Sequence, residues 1–344
     1  MMIKKKKNLS NKIIRRKVNN LISKEDKQLF KKDLLTKTGE SYIYNLDNSV
    51  ILPDGKVQSL NYDLIKDYLA FKSISNYVLL KKIFLSLKYI YKIIFSNFGC
   101  KYIDDDKEYY IIYNRHSEGF FHWITDSLPK ILFCKNKKKN STIILPKSLK
   151  KKFIIESLKK FKINYFFMNN NTKYKFKNLT YIGELYPSGS PRKEVIKKLI
   201  GKIETSKYSN NRTYISRNKS NKRKIVNEKN LIKVLEKYNF KVVHMEKLTL
   251  ERQIEIASSS KYIVGLHGAG ITNLIWMKQG NSLLELRPEK NQYLNCYFNL
   301  SNLLNINYEY IICKKMNIYK SSNKADYYVN LDAFEKKIQS ILKK

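Results

Sequence analysis

Residues 262–273 read YIVGLHGAGITN, an apolar run that meets three glycines and a histidine before a second apolar stretch begins. The pattern predicts a strand over Tyr262–Gly265, a glycine loop, and a short helix from Thr272 to Met277. In open parallel sheets, ligands bind beyond the carboxyl ends of the strands. This stretch therefore indicates an α/β fold with a parallel sheet, and it marks one edge of that sheet as a binding site.

The loop itself has the composition of a phosphate-binding segment. Glycines let the backbone approach a phosphate closely, and the N-terminus of a helix offers N–H groups and a positive dipole end. Core packing explains a histidine between glycines poorly, whereas ligand binding explains it well. The loop lacks the G-x-G-x-x-G dinucleotide fingerprint. We predict that a nucleotide diphosphate binds to Gly265, His267, Gly268, Ala269, Gly270, Thr272 and Asn273.

Two arginines follow an upstream strand and are predicted to face the same sheet edge. Arg217 comes directly after the predicted strand Thr213–Ser216, and Arg223 lies in the loop that follows it. A guanidinium donates hydrogen bonds in a planar fork that suits diphosphates. Among 68 Lys and Arg residues, a single basic side chain is more often simply solvated, so position after a strand is what singles these two out.

Two carboxylates are candidates for the ribose hydroxyls. Glu246 follows the predicted strand Phe240–His244, and Glu285 lies within the predicted strand Ser282–Leu286. A carboxylate at a strand end holds ribose in many nucleotide-binding sheets. The alternative for each is a surface carboxylate paired with lysine.

The alternation of strands and helices extends from residue 108 to the end of the chain, with glycines and prolines concentrated over 183–211. It predicts two Rossmann-like domains that face each other across a cleft. We place a basic N-terminal region over 1–100, a first Rossmann-like acceptor domain over 101–190, a donor domain over 205–320 and a C-terminal helix over 321–344.

A histidine and a carboxylate are four residues apart in the first half. His122 and Asp126 lie in the predicted helix Phe120–Cys134, so they share one helical face. Such a pair supplies a general base and the group that orients it. We assign Asp126 as the base with His122 assisting, and keep His122 itself as the other candidate. The alternative is a packed aromatic helix with a solvated Asp126.

The acidic run Asp104-Asp105-Asp106 offers a competing chemistry. Asp104 and Asp106 form a D-x-D arrangement, which binds a divalent metal and a nucleotide diphosphate in other transferases. An acidic turn that ends a strand is the other interpretation, and it is the one we favour.

The formal net charge is +39. Codon drift toward Lys, Asn, Ile and Tyr accounts for such a charge, and so does attraction to phosphates, nucleic acid or anionic membranes. The lysine-interrupted segment 77–98 has the pattern of a basic amphipathic helix, or of a core helix with snorkelling lysines.

Composition also predicts the cellular location. The four cysteines are far apart and form no C-x-x-C pair, so we expect reduced thiols. No secretory signal follows the first lysines, and no uncharged apolar run of about 20 residues exists. We predict a cytoplasmic protein, with the inner face of a membrane as its alternative place.

The motifs taken together resemble one enzyme family. HWITDSLPK at 122–130, YISR at 214–217 followed by RKIVNE at 223–228, and IVGLHGAGITNLIWMKQGNSLLEL at 263–286 are similar to the family 61 glycosyltransferases. The resemblance covers about residues 109–312. Two departures are Arg223-Lys224, where the family has paired arginines, and Gln279-Gly280, where it has Pro-Gly.

The resemblance implies a GT-B fold and an inverting transfer of a sugar from a UDP-sugar, without an essential metal or other cofactor. Members of the family act in capsular polysaccharide biosynthesis, so it implies a glycan or lipid-linked acceptor. Peripheral contact with an anionic membrane is compatible with this, and specific nucleic-acid binding is not expected. Two alternatives stay open: a non-catalytic basic binding protein, and a metal-dependent transferase that uses Asp104 and Asp106.

Overall fold

A computed structural model describes residues 5–16, 24–58, 99–134, 141–206, 208, 210–289, 295–317 and 319–343. The chain divides into two compact units, the first formed by residues 1–10 and 39–185, the second by residues 11–38 and 186–344. The amphipathic helix predicted over 77–98 lies outside the described residues.

In chain order, the strands are β1 (Lys5–Leu9), β2 (Lys12–Arg15), β3 (Leu35–Thr38), β4 (Ser41–Asn45), β5 (Val50–Ile51), β6 (Val57–Gln58), β7 (Cys100–Ile103), β8 (Glu108–Ile111), β9 (Ser141–Leu145), β10 (Asn164–Phe167), β11 (Lys173–Phe176), β12 (Leu179–Ile182), β13 (Asn211–Ile215), β14 (Lys241–Val243), β15 (Ser260–Leu266), β16 (Ser282–Pro288), β17 (Asn307–Lys315) and β18 (Tyr327–Tyr328).

The α-helices are α1 (Lys24–Leu34), α2 (Phe120–His122), α3 (Leu128–Cys134), α4 (Lys152–Lys160), α5 (Lys193–Ile200), α6 (Glu228–Lys237), α7 (Leu250–Ser259), α8 (Cys296–Leu304) and α9 (Leu331–Leu342). A π-helical turn, Trp123–Ser127, joins α2 to α3. Short 3₁₀ helices cover Lys147–Leu149, Met245–Lys247 and Ala269–Trp276.

The first unit contains a six-stranded sheet in the order β1-β4-β12-β8-β9-β10 and a four-stranded sheet in the order β6-β5-β11-β7. β12, β8, β9 and β10 are parallel neighbours, whereas β4 and β1 add antiparallel strands at one side. The carboxyl ends of the parallel strands therefore share one edge, and the loop after β8 leads there into α2.

The second unit is built on a six-stranded sheet in the order β14-β13-β15-β16-β17-β18. The first five strands are parallel and β18 is antiparallel to β17. One face packs on α6 and α9, because α6 turns Leu231, Val234 and Leu235 inward at helical spacing and α9 adds Phe334 and Ile338. The mixed α/β character predicted from the sequence is thus confirmed.

The basic N-terminal region, which the sequence places over 1–100 as part of or appended to the first domain, contributes to both units. β1 pairs with β4 in the first unit, while α1 and the β2–β3 hairpin belong to the second. Residues 321–344 are more than an appended helix, since β18 and α9 are integrated into the sheet and its core. Local sequence patterns do not reveal such long-range pairings.

Individual elements of the second unit follow the sequence patterns with shifted ends. Thr249 is the N-cap of α7, and its hydroxyl accepts a hydrogen bond from the backbone N–H of Arg252 at 3.3 Å. Asn227 precedes α6 but makes no side-chain cap. Its amide bonds instead to the backbone N–H and C=O of Val329, after β18.

Candidate functional site

The order of the parallel strands in the second unit defines a switch point between β13 and β15. After β13 the chain crosses to β14 on one side, and after β15 it crosses to β16 on the other. Ligands of doubly wound sheets bind in the crevice outside the carboxyl ends at such a point. The two loops that leave this point carry Arg217 and the His267–Gly270 segment, so the topology brings together the two strongest sequence candidates.

Arg217 and Gly268 are in direct apposition. A Cβ built on Gly268 would overlap Nη1 of Arg217 and lie 2.9 Å from its Cζ. Gly268 itself is extended (φ 166°, ψ 170°), a conformation open to any residue. Close approach of the guanidinium, and not backbone conformation, is therefore what requires glycine at this position.

Arg217 is anchored by its own loop. Its Nη2 donates to Ser220 Oγ at 3.0 Å and to the carbonyl of Lys222 at 3.1 Å, and its Nε donates to the carbonyl of Arg223 at 3.3 Å. Burial and the nearby charge of Arg223 lower the pKa of Arg217, partly offset by Tyr297 and Glu246. The guanidinium stays charged, because an arginine pKa begins far above neutrality. These bonds preorganise a positive charge beside Gly268.

Arg223 stands out in both backbone and side chain. Its φ of 58° lies in the left-handed region, which is uncommon for a residue with a side chain. Its buried Nε makes no hydrogen bond to any described residue. Two neighbouring guanidinium groups, one with an unmet donor, form a place where an anion is stabilised.

His267 directly follows β15 and is held by a buried carboxylate. Its Nδ1 bonds to Oε1 of Glu285, which lies on β16 and is 0% exposed. The hydroxyl of Tyr308 donates to Oε2 of Glu285, and Arg287 lies 3.5 Å from the same oxygen. Since an ionised carboxylate only accepts, Nδ1 of His267 carries the proton and Nε2 is the ring nitrogen left for a ligand.

The network around Glu285 extends to the N-terminal helix α1. Arg287 donates to Tyr308 Oη at 2.9 Å and to Asn295 Oδ1 at 2.8 Å, while Asn295 donates to Asp33 at 2.8 Å. The guanidinium of Arg287 also lies 5.4 Å from the ring centroid of Phe30. Helix α1 thus packs on the arginine that compensates the charge of Glu285.

The role predicted for Glu285 requires correction. Burial alone would raise the pKa of Glu285, but Arg287, His267 and the hydrogen bond from Tyr308 lower it overall. The carboxylate is ionised, fully enclosed and engaged by three side chains. It orients His267 and does not reach a ribose.

Glu246 keeps its predicted place at the carboxyl edge. It is exposed in the 3₁₀ helix Met245–Lys247 that follows β14, and its charge acts on Arg217. Ribose binding by Glu246 stays a prediction.

Several residues of the glycine loop serve to shape it. A Cβ on Gly265 would lie 3.2 Å from Ile271, and one on Gly270 would lie 2.9 Å from Cγ2 of Ile215, so both glycines permit close packing. Asn273 is fully buried and donates to Gln253 Oε1 at 2.9 Å and to the carbonyl of Gly270 at 3.0 Å. Gly265 and Asn273 thus stabilise the conformation of the loop.

The remaining two loop candidates differ in exposure. Ala269 is partly exposed where the 3₁₀ helix Ala269–Trp276 begins, and Thr272 is buried one turn further on. Ala269 is accordingly the better placed to present a backbone N–H to a phosphate.

Tyr297 is a site residue that the sequence analysis missed. Its hydroxyl donates to the carbonyl of Gly268 at 2.6 Å, and its ring centroid lies 5.0 Å from that of His267. Burial raises the pKa of Tyr297 well above its usual range, so the hydroxyl is always protonated. It comes from α8, and only the aromatic character of that helix hinted at its position.

In the first unit, His122 and Asp126 are brought together as predicted. His122 Nδ1 lies 2.8 Å from Oδ2 of Asp126, and the hydroxyl of Thr125 donates to Oδ1 at 2.8 Å. The side chain of Asp126 is 1% exposed, whereas that of His122 is 33% exposed. Both oxygens of the carboxylate are engaged. The geometry therefore favours His122 as the group that meets a substrate, with Asp126 orienting it, the reverse of the predicted order.

A π-helical turn sets this geometry. The backbone N–H of Leu128 bonds to the carbonyl of Trp123, five residues back. Pro129 has no N–H and its ring excludes a regular turn over the carbonyl of Thr125. The helix widens there, and π turns of this kind are frequent at functional sites. This turn interrupts the single helix predicted over Phe120–Cys134.

The acidic run lies apart from these groups. Asp104 and Asp106 lie 3.0 Å and 3.9 Å from the ammonium of Lys177, and both are exposed. Within the described part of the chain, no cluster of three His, Cys, Asp or Glu side chains has the geometry of a metal site.

Two further sequence predictions concern cysteines and membranes. Cys100, Cys296 and Cys313 form no disulfide bond with any residue that the structure describes. Among the helices that the structure describes, none combines the length and apolar character needed to cross a bilayer.

Comparison with known proteins assigns the class. The sequence model of the family described as Glycosyltransferase 61 matches residues 120–284. The chain is also similar to the EGF domain-specific O-linked N-acetylglucosamine transferase of Drosophila melanogaster, at 32% identity over 99 residues. This alignment covers 28% of the chain and 18% of that relative, so the chain spans less than a fifth of the relative's length.

The β13–β15 edge and these matches together define a glycosyltransferase domain. That domain belongs to glycosyltransferase family 61, and it contains the His122–Asp126 pair, Arg217 and the His267–Gly270 loop. The family predicted from the motifs is thereby confirmed for residues 120–284.

Proposed function

We propose that the protein transfers a sugar from a UDP-sugar to a hydroxyl of a glycan or lipid-linked acceptor, with inversion at the anomeric carbon. The observation that carries the proposal is the placement of Arg217 against Gly268 at the β13–β15 switch point, with the charge of Arg223 acting on Arg217. Two adjacent guanidinium groups match the charge and the planar hydrogen bonding of a diphosphate.

The same groups act on the departing nucleotide. As the bond between the anomeric carbon and the diphosphate oxygen breaks, its electron pair leaves with UDP. Arg217 and Arg223 offset the negative charge that develops. Because these groups are positioned in advance, their stabilisation of the transition state costs no rearrangement.

His122 removes the proton of the acceptor hydroxyl in this proposal. The oxygen then attacks the anomeric carbon from the face opposite UDP, which inverts its configuration. Asp126 holds Nδ1 of His122 and stabilises the imidazolium that forms, while Thr125 fixes the other oxygen of Asp126. The side-chain exposures of His122 and Asp126 support this division of roles.

The remaining expectations from the sequence, on domain arrangement, metal independence and location, belong to the same proposal. They are a GT-B-like pair of Rossmann-like domains, acceptor binding by the first unit, donor binding by the second, independence of metal, and a cytoplasmic place with peripheral contact at the inner face of a membrane. Pairing of Asp104 and Asp106 with Lys177 supports metal independence, since an ammonium already compensates those carboxylates. The relative's name makes UDP-N-acetylglucosamine the first donor to try.

Thermal stabilisation of the purified protein by UDP-, GDP-, CMP- and dTDP-sugars, with and without chelator, tests the proposal. A shift with one UDP-sugar that persists in chelator and is lost in His267→Ala is the expected result. Salt-sensitive nucleic-acid binding without any donor effect would instead indicate a non-catalytic basic protein. Loss of activity in chelator would indicate the metal-dependent mechanism.

A further inference from the structure

A buried ion pair lies next to the His122–Asp126 helix and takes no part in the steps above. The ammonium of Lys130, which lies on α3, donates to Oε1 of Glu184 at 2.8 Å. Lys130 is 0% exposed, whereas the side chain of Glu184 is 23% exposed. Glu184 follows β12, so it lies at the carboxyl edge of the parallel strands of the first unit.

The loop after β8 links this pair to the His122–Asp126 helix. Asn114 donates to the same oxygen of Glu184 at 2.9 Å, and its own Oδ1 accepts from the backbone N–H of His116 at 2.8 Å. The rings of His116 and His122 are 5.1 Å apart. β12 and β8 are adjacent in the sheet, so Glu184 and His122 occupy one edge of one sheet.

The division of hydrogen bonds on Glu184 is one-sided. Lys130 and Asn114 both donate to Oε1, and the side chain of Glu184 is 23% exposed. A fully buried ammonium is costly, and an apolar pair of similar volume is often as stable as a buried ion pair. A pair that only stabilised the fold would gain nothing from an opening to solvent on the carboxylate side.

We propose that Glu184 binds a sugar hydroxyl of the acceptor, with Lys130 and Asn114 as the residues that position it. The inference rests on the proposed function and deepens it by assigning an acceptor-binding residue. An ionised carboxylate is a strong acceptor for hydroxyl groups. Lys130 balances its negative charge, and because Lys130 and Asn114 both bond to Oε1, Oε2 is left for the hydroxyl. Glu184 and His122 then contact two hydroxyls of the same sugar.

Steady-state kinetics of Glu184→Gln test the assignment, with UDP-N-acetylglucosamine as donor and a panel of methyl β-glycosides of glucose, galactose, mannose and xylose as acceptors. The expected result is an acceptor KM raised about tenfold or more, with kcat and donor KM changed much less. Glu156→Gln, on the partly exposed face of α4, is the matched control and should change neither constant. An unchanged acceptor KM, or a loss of kcat at unchanged KM, overturns the proposal.

Saturation-transfer NMR with the same glycosides gives a readout that does not need turnover. Saturation of the glycoside signals should fall in Glu184→Gln while calorimetric UDP binding stays at the wild-type value. Lys130→Met should reproduce the loss and Lys130→Arg should restore part of it. Equal glycoside binding by wild type and Glu184→Gln overturns the assignment. Failure of the wild type to bind UDP would instead overturn the proposed function, so the two failures are distinguishable.

Discussion

The guanidinium of Arg217 occupies the space in which any side chain at Gly268 would lie. These two residues come from loops after different strands, and they meet because β13 and β15 are neighbours at the switch point of the sheet. The contact converts a glycine loop into a charged one, because it places a fixed cation against the backbone that a diphosphate would approach.

Gly268→Ala should therefore impair donor binding while the fold survives. The added Cβ must displace Arg217, so we expect UDP affinity to fall about tenfold or more, as for loss of a charge-assisted hydrogen bond. Calorimetry with UDP checks this. Gly39→Ala is the control, since a Cβ there meets nothing within 4 Å. Equal losses in both variants would contradict a specific contact.

Arg223→Asn should separate stability from function. Asparagine tolerates the left-handed backbone at φ 58°, and the substitution removes a charge beside Arg217. We expect the melting temperature to stay equal or rise, while UDP affinity falls. Thermal unfolding with and without UDP measures both. A variant that loses stability but keeps full UDP affinity would show that Arg223 is structural.

His122→Ala and Asp126→Asn should both reduce kcat by about 10²–10⁴-fold, the range typical of a lost general base. UDP binding should be unaffected, because neither residue belongs to the donor loops. Asp106→Asn serves as control, since its carboxylate is exposed and lies 3.9 Å from the ammonium of Lys177. Full activity of Asp126→Asn would refute the pair, and inactivity of Asp106→Asn would favour the metal-dependent alternative.

Acid stability should depend on Glu285. Because its folded-state pKa is lowered, Glu285 stabilises the fold at pH values above its unfolded pKa of about 4.3, and this stabilisation is lost as the pH falls through the folded-state pKa. Glu285→Gln should cost about 3–5 kcal/mol at neutral pH, since Arg287 stays buried without its counter-charge. It should also flatten the loss of stability below pH 4.

Urea unfolding across pH measures this dependence. Glu236→Gln, an exposed carboxylate on α6, provides the control and should leave the curve nearly unchanged. If Glu285→Gln unfolds with the same pH dependence as the wild type, Glu285 does not contribute to acid stability as predicted.

Local patterns predicted much of the second unit. Apolar runs located β13, β15 and β16, because these strands are buried in a single sheet. The position of Arg217 relative to the glycine loop also followed, since parallel strands end at one edge.

Long-range contacts are what the sequence did not reveal. The strand pattern predicts ribose binding by Glu285. The pattern does not show that Glu285 is enclosed by Arg287 of the same strand and Tyr308 of β17. The order of His122 and Asp126 depends on relative exposure, which the helical spacing of the two residues does not encode. Tyr297 reaches Gly268 from a helix that is distant in sequence.

Calorimetric titration of UDP into the wild type, Arg217→Gln and Arg212→Gln tests for a diphosphate site at the β13–β15 switch point. Arg212 lies near the amino end of β13, the strand that precedes Arg217, and donates to the carbonyl of Tyr238. Its substitution therefore controls for the loss of one positive charge. The account predicts that Arg217→Gln loses UDP affinity while Arg212→Gln retains it. Wild-type affinity in Arg217→Gln, with the fold intact, would contradict a diphosphate site at the β13–β15 switch point.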